Sequence, residues 1–180
     1  MSETSAASSK PQSVLFVCLG NICRSPMAEA VFRHLTPSHP LVGEVDSAGT
    51  GAWHAGSSPD PRTMRTLQTH GVQYSHSARQ AVIPDFEEFD WIFAMDRDNL
   101  EELESMREKA LRRKRKDGKE AKLARLMLFG DWGGSPGEVV IDPYYGGNDG
   151  FDVAYEQMVR FSKGFLKALE NGTAEQTGNS

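Results

Sequence analysis

Cys18 and Arg24 stand six positions apart in the run Cys18-Leu19-Gly20-Asn21-Ile22-Cys23-Arg24-Ser25. A thiol and a guanidinium at that separation can address one tetrahedral anion if the chain between them wraps around it. The sulfur then lies beneath the anion while the planar fork of Arg24 grips two of its oxygens. A thiolate is a strong nucleophile and a good acceptor for a phosphoryl group. Gly20 and Asn21 are residue types that tolerate the left-handed backbone a tight cradle needs. Ser25 adds a hydroxyl that can hydrogen-bond the sulfur, both as thiolate and as leaving group. The plain alternative is a buried structural cysteine beside an ion-paired Arg, and Cys-x5-Arg without context is a weak signal.

The context comes from the flanking elements. Val14-Leu15-Phe16-Val17 is fully apolar, as in a strand buried on both faces of a parallel sheet. Ser25 and Pro26 open a helix that places Met27, Ala30, Val31 and Leu35 on one face. A loop joining such a strand to a helix N-terminus aims several N–H groups at one point, with the positive end of the helix dipole behind them. That environment favours an anion, and it favours Cys18 as the thiolate.

Further along, Glu44–Ser47 reads as a weak strand. Asp60-Pro61 opens a helix ending near Gly71, with Met64, Leu67 and His70 inward. Trp91–Met95 reads as a strand, Asp96 to about Lys116 as a charged helix, Leu126–Phe129 as a fourth strand, and about Phe151–Leu169 as the last helix. The alternation predicts an α/β three-layer sandwich, with a four-stranded, mostly parallel central sheet flanked by helices. Ligands of such folds sit outside the carboxyl ends of the strands, where Cys18 lies. Residues 13–170 are expected to form one domain, with 1–12 and 171–180 as flexible tails.

Composition narrows the class. The chain has 180 residues and a formal charge of −5, a size that buries a core without staples. No apolar run is long enough to cross a membrane, and the first twelve residues lack the apolar centre of a secretory signal. A cytoplasmic protein is expected. Two cysteines are too few and too close for a disulfide framework, and no Cys/His spacing fits zinc, so no cofactor or metal is expected. Between Arg107 and Arg125 ten Lys/Arg face three acids, which leaves −12 for the remainder. This segment reads as a solvated helix or loop that can meet acidic partners. It lacks the interleaved aromatics that would favour nucleic acid.

Taken with its flanks, Cys18 to Ser25 resembles the phosphate-binding loop of the low-molecular-weight protein tyrosine phosphatases. The resemblance runs from about Val14 to Leu169. It passes in order through Asp46-Ser47-Ala48-Gly49-Thr50, Trp53, Ser58-Pro59-Asp60-Pro61-Arg62, His76-Ser77-Ala78-Arg79-Gln80, Phe89-Asp90, Ala94-Met95-Asp96 and Ile141-Asp142-Pro143-Tyr144-Tyr145. It implies hydrolysis of phosphotyrosine and aryl phosphate monoesters through a phosphocysteine on Cys18, without metal. Leu19, Gly20, Asn21, Ile22, Cys23 and Ser25 would build the phosphate loop, and Arg24 would bind the phosphoryl oxygens.

Expelling a phenolate needs a proton, and a placed carboxylic acid supplies one for about 10²–10⁴ in rate. Among 25 carboxylates, Asp142 has the most suggestive setting, stiffened by Pro143 and flanked by two Tyr. Read alone it is more readily an ordinary turn residue before Pro. The resemblance makes it the acid of the first step and the base of the second. It also makes Ser47 and His76 partners of a strained Asn21, and Trp53, Tyr144 and Tyr145 walls of the substrate slot. Without it, Ser47 reads as a strand-end hydroxyl, His76 as a surface residue and Trp53 as core. Asp96 resembles an acid near the pocket and also reads as a helix N-cap. Cys23 is either a small buried filler or a resolving thiol for oxidised Cys18.

Related activities set the alternatives. Arsenate reductases of the same fold relay oxidation through downstream cysteines, and this chain has none after Cys23. The protein-arginine phosphatase branch carries Thr where Ile22 stands, so Ile22 with the Trp/Tyr slot favours phosphotyrosine. A non-catalytic phosphate-binding module would have lost Cys18 or Asp142. The expected partners are phosphotyrosine proteins, with inorganic phosphate as product and inhibitor. The stretch from about Met106 to Leu126 is longer and more basic than the family pattern, and an insertion that leaves the pocket intact is expected there.

Overall fold

The computed structural model describes residues 10–120, 122–147 and 149–177. Four strands, β1 (Gln12–Cys18), β2 (Val42–Gly49), β3 (Trp91–Ala94) and β4 (Arg125–Leu128), form one sheet in the order β2-β1-β3-β4. Every pairing is parallel. Cys18 pairs with Gly49, and Val17 with Ala94, so the carboxyl ends of the three strands meet at one edge.

β1 shows why a continuous apolar run was needed. Val14 and Phe16 point into one core and Leu15 and Val17 into the other, as period-two alternation requires with both faces covered. On the first face pack α1 (Arg24–Leu35), α2 (Pro61–Thr69) and α5 (Asp149–Glu170). On the second pack the short α3 (Asp85–Glu88) and α4 (Arg97–Lys116). The first core is aromatic: the Phe16 ring lies 4.8 Å from Phe129 and the Phe93 ring 4.9 Å from Phe165, both edge to face. Such packing leaves little freedom beneath Cys18.

Several expected boundaries move. β2 extends beyond Glu44–Ser47 at both ends, because pairing with β1 compensates for its polar sequence. α2 ends at Thr69, and His70 is exposed rather than inward, stacking on Tyr155 at 3.8 Å. The packed chain also continues past residue 170. Ala174–Gln176 form a 3₁₀ turn with Ala174 only 1% exposed in the first core. Residues 1–9 and 178–180 of the expected tails lie outside the described residues.

Asp96 caps α4, its carboxylate accepting the Asn99 N–H at 2.8 Å. Twenty residues of helix span about 30 Å, which carries the basic end at Arg113–Lys116 far from the carboxyl edge of the sheet. Buried Leu103 and Ala110 hold the helix to the sheet. None of the cations from Arg107 to Arg125 pairs with a carboxylate among the described residues. No helix among the described residues is long and apolar enough to cross a membrane.

Candidate active site

At the end of β1 the chain turns through residues 19–23 into α1. The carbonyls of this loop are engaged by the scaffold: Cys18 accepts the Thr50 N–H (2.9 Å), Leu19 the Gly51 N–H (2.9 Å) and Ile22 the Asp60 N–H (2.8 Å). No acceptor among the described residues takes the N–H groups of Gly20 to Ser25. A cradle whose carbonyls face the protein and whose donors are free is built for an anion. Gly49 makes room for it, since a Cβ there would stand 2.7 Å from the Leu19 carbonyl oxygen.

Cys18 is buried at the floor, with its Sγ 3.0 Å from the Ser25 Oγ. That oxygen accepts a hydrogen bond from Asn21 Nδ2 (2.8 Å), so its own proton is available to the sulfur or to the Ala48 carbonyl at 3.2 Å. Asn21 has φ 56°, a left-handed conformation that costs a side-chain-bearing residue roughly 1–2 kcal/mol. Its side chain is fully committed. Nδ2 also donates to Ser47 Oγ (3.0 Å), and Oδ1 accepts from the Arg79 N–H (3.0 Å) and from His76 Nε2 (2.8 Å). The backbone donor fixes which end of the amide is oxygen, and therefore that His76 carries its proton on Nε2.

Beneath this network lies Glu29, buried in α1. Ser47 Oγ donates to its Oε1 (3.0 Å), Arg33 Nε stands 3.2 Å from Oε2, and His76 Nδ1 is 3.6 Å from Oε1. Burial pushes the Glu29 carboxyl up to about 7 despite the Arg33 charge. Burial likewise lowers the His76 pKa. A neutral His76 with a bare Nδ1 facing a carboxyl that readily holds a proton is a self-consistent arrangement. Glu29, Asp46 and His76 converge closely enough to suggest a cation site, but the carboxylates already face Arg33 and Arg79.

Arg24 is 3% exposed and enters the pocket from the first turn of α1. Its NH1 donates to Asp96 (2.5 Å) and to the Val140 carbonyl (2.9 Å). Its Nε and NH2 make no hydrogen bond among the described residues, leaving one edge of the fork for an oxyanion. Burial opposes its charge, but Cys18 and Asp96 outweigh that and raise its pKa. Asp96 thus caps α4 and braces Arg24 at once. Val140 also donates its N–H to the Met95 carbonyl (2.8 Å), which moors the distant segment before Asp142 to the end of β3. As a result Asp142 Oδ2 lies 3.6 Å from Arg24 NH2, while Oδ1 accepts the Tyr144 N–H at 3.0 Å.

Cys18, Leu19, Gly20, Ile22, Cys23, Arg24, Trp53, Asp142, Tyr144 and Tyr145 all border one cavity of about 300 Å³. Asn21, Ser25, Ser47 and His76 lie behind it and support the loop. Trp53 is 76% exposed and Tyr145 83%, so Trp53 is rim and not core. Cys23 is buried, and desolvation first, then the charges of Asp60 and Cys18, push its thiol up to about 12. His54, on the rim, and Glu29, under the loop, were not anticipated. A glutamate in an amphipathic helix reads as surface, and nothing in the spacing distinguishes Glu29 from an exposed one.

The family model for low molecular weight phosphotyrosine protein phosphatase matches residues 13–175. A Schizosaccharomyces pombe protein of that name is 48% identical over 161 residues, covering 87% of this chain and 96% of that protein. A protein tyrosine phosphatase from Entamoeba histolytica superposes with a TM-score of 0.75 at 35% identity, covering 89% of this chain and 98% of the other. The structure described as DARP, drosophila arginine phosphatase, does so at 0.76 and 39%, covering 86% and 95%. This chain belongs to the low molecular weight phosphotyrosine protein phosphatase family.

Proposed function

We propose that this protein hydrolyses phosphotyrosine and other aryl phosphate monoesters through a phosphocysteine, without a metal ion. One observation carries the reading: a single cavity is lined by the buried Cys18, by a loop whose N–H groups have no acceptor among the described residues, by Arg24 and by Asp142.

The steps follow from that placement. The Cys18 thiolate attacks phosphorus in line, and the S–P bond forms as the bond from phosphorus to the aryl oxygen breaks. Loop N–H groups and Arg24 hold the three non-bridging oxygens, stabilising the charge that spreads over them in transfer. Asp142, protonated at this stage, gives its proton to the departing phenolate. The resulting carboxylate then takes a proton from water as the water oxygen attacks phosphorus. The S–P bond breaks, phosphate leaves, and the thiolate is restored with the Ser25 hydroxyl beside it. Trp53, Tyr144 and Tyr145 line the slot that receives the ring, and inorganic phosphate, as product, competes for the same cradle.

A para-nitrophenyl phosphate assay in chelator tests this. Turnover should persist in chelator, Cys18→Ser should abolish it while retaining substrate, and Asp142→Ala should slow it by about 10²-fold or more. Near-normal turnover by the Cys18→Ser protein would overturn the mechanism. The structural kinship with an arginine phosphatase makes phosphoarginine the informative competitor. Ile22 and the aromatic slot predict a preference for phosphotyrosine, which paired phosphopeptides measure directly.

A further inference from the structure

A line of hydrogen bonds runs from the phosphate loop to the acid through two residues outside the cavity. Asp60 donates its N–H to the Ile22 carbonyl at 2.8 Å, and its carboxylate caps α2. Arg62 meets that carboxylate at three points: its backbone N–H (2.8 Å) and Nε (3.1 Å) donate to Oδ1, and NH2 (3.0 Å) donates to Oδ2. The last nitrogen of the fork, NH1, donates to the Tyr144 carbonyl at 3.3 Å. The guanidinium carbon also lies 5.3 Å from the Tyr144 ring centre and 4.7 Å from that of Phe151, within cation–π range. Tyr144 in turn donates its N–H to Asp142 Oδ1.

We propose that Arg62 is a positioning residue for Asp142: through Asp60 it ties the 3₁₀ turn Pro143–Tyr145 to the phosphate loop and sets where the acid stands over the leaving oxygen. This rests on the role given to Asp142 above. The nucleophile's loop is held by the Asn21 network, whereas the acid comes from a distant segment whose turn is followed by Gly146 and Gly147. Its upstream mooring, at Val140, ends two residues before the carboxyl. Arg62 supplies the downstream mooring, and the other end of the strut is the helix-capping Asp60 beside the loop itself. A carboxyl displaced by about 1 Å can forfeit as much as 10²-fold in rate, so the strut converts the rigidity of the phosphate loop into placement of the acid. Burial works to raise the Asp60 pKa, but the hydrogen bonds from Arg62 outweigh it and keep the pair ionised.

The test is the leaving-group dependence of kcat/KM, which reports phosphoryl transfer to Cys18. Phenyl phosphate needs a proton on its departing oxygen, and 2,4-dinitrophenyl phosphate does not. Arg62→Ala should lose about 30-fold on phenyl phosphate and less than about 3-fold on dinitrophenyl phosphate. Inhibition by inorganic phosphate should stay within about 2-fold, since the cradle is untouched. Arg62→Lys keeps the charge beside Asp60 but cannot reach both partners, and should fall between on phenyl phosphate. It carries the same contrast if Arg62→Ala does not fold. Equal losses on both substrates, or no loss on either, would overturn the proposal. Asp142→Ala run alongside separates the two claims. A steep dependence there with a flat one in both Arg62 variants sinks the strut alone, whereas a flat one in Asp142→Ala sinks the acid assignment.

Discussion

Cys23 shares a loop with the nucleophile but not its chemistry. Its thiol is pushed up to about 12 chiefly by burial, so at neutral pH it is protonated and does not compete for phosphorus. A second task, as a resolving thiol for Cys18, is a proposal that can be tested. If peroxide converts Cys18 to a sulfenic acid, the Cys23 thiol can condense with it, forming an S–S bond and releasing water. Peroxide-treated enzyme should then recover with added thiol, and Cys23→Ser should leave most of the activity unrecovered after the same exposure. Activity regained equally by both proteins would show that Cys23 is only a filler. At this scale the spacing of Cys18 and Arg24 was legible because one of only two cysteines, an arginine and a Gly-Asn pair fall within eight residues, between an apolar run and a helix start. Glu29 was not, and Asp60 and Arg62 stood out only as landmarks of the resemblance, because each has an ordinary role in or at the start of a helix that its sequence cannot distinguish from a site role.

Among the elements, β1 and α1 were readable from the apolar run and the helix start, since both are local signals. β2 was underestimated. Its Gly43, Glu44 and Asp46 carry little strand preference, and it becomes a strand by pairing with β1 from Gln12 to Cys18. That pairing brings Gly49 against the phosphate loop. A Cβ there would sit 2.7 Å from a backbone oxygen of Leu19 and 3.1 Å from the Asn21 nitrogen, so the loop itself must yield. Gly49→Ala should therefore reduce kcat/KM for para-nitrophenyl phosphate by about 10-fold or more, with a stability cost of roughly 1–3 kcal/mol by overpacking. Initial rates over a range of substrate concentrations reaching well below KM, together with a thermal melt, check it. Unchanged kinetics would mean the loop tolerates the shift.

For the molecule as a whole, Glu29 links the site to stability. Its carboxyl titrates near 7 in the fold, against 4.5 for the ordinary group. Between those values the folded protein binds more protons than the unfolded chain, so this contribution to stability is full below about 4.5 and is lost as pH rises through about 7. The gap corresponds to on the order of 3 kcal/mol. Burial dominates and the Asp46 charge adds to it, while the Arg33 charge and the hydrogen bonds of Ser47 and Tyr74 oppose it; the His76 ring faces the same carboxyl at 3.6 Å. Replacing Glu29 by Gln removes the proton linkage. The melting temperature of Glu29→Gln relative to the parent should rise by roughly 5–10 °C between pH 5 and pH 8. A difference that is constant with pH would show that the buried carboxyl does not take up a proton on folding.

What the chain's own order of residues settled was local: a nucleophile and an anion clamp on one strand-to-helix turn, an alternation of strands and helices, and a run of landmarks matching one family. These are short-range patterns, and backbone geometry alone turns them into structure. Tertiary packing decided the rest. Asp142 lies 118 residues after Arg24 in the chain, and it comes within 3.6 Å of that side chain through tertiary contacts such as the mooring of Val140 to the end of β3. Glu29 becomes a proton-binding group only because burial withdraws it from water. Contact across such sequence distance, and the dielectric around a buried charge, are properties of the assembled core and are written in no short stretch of residues.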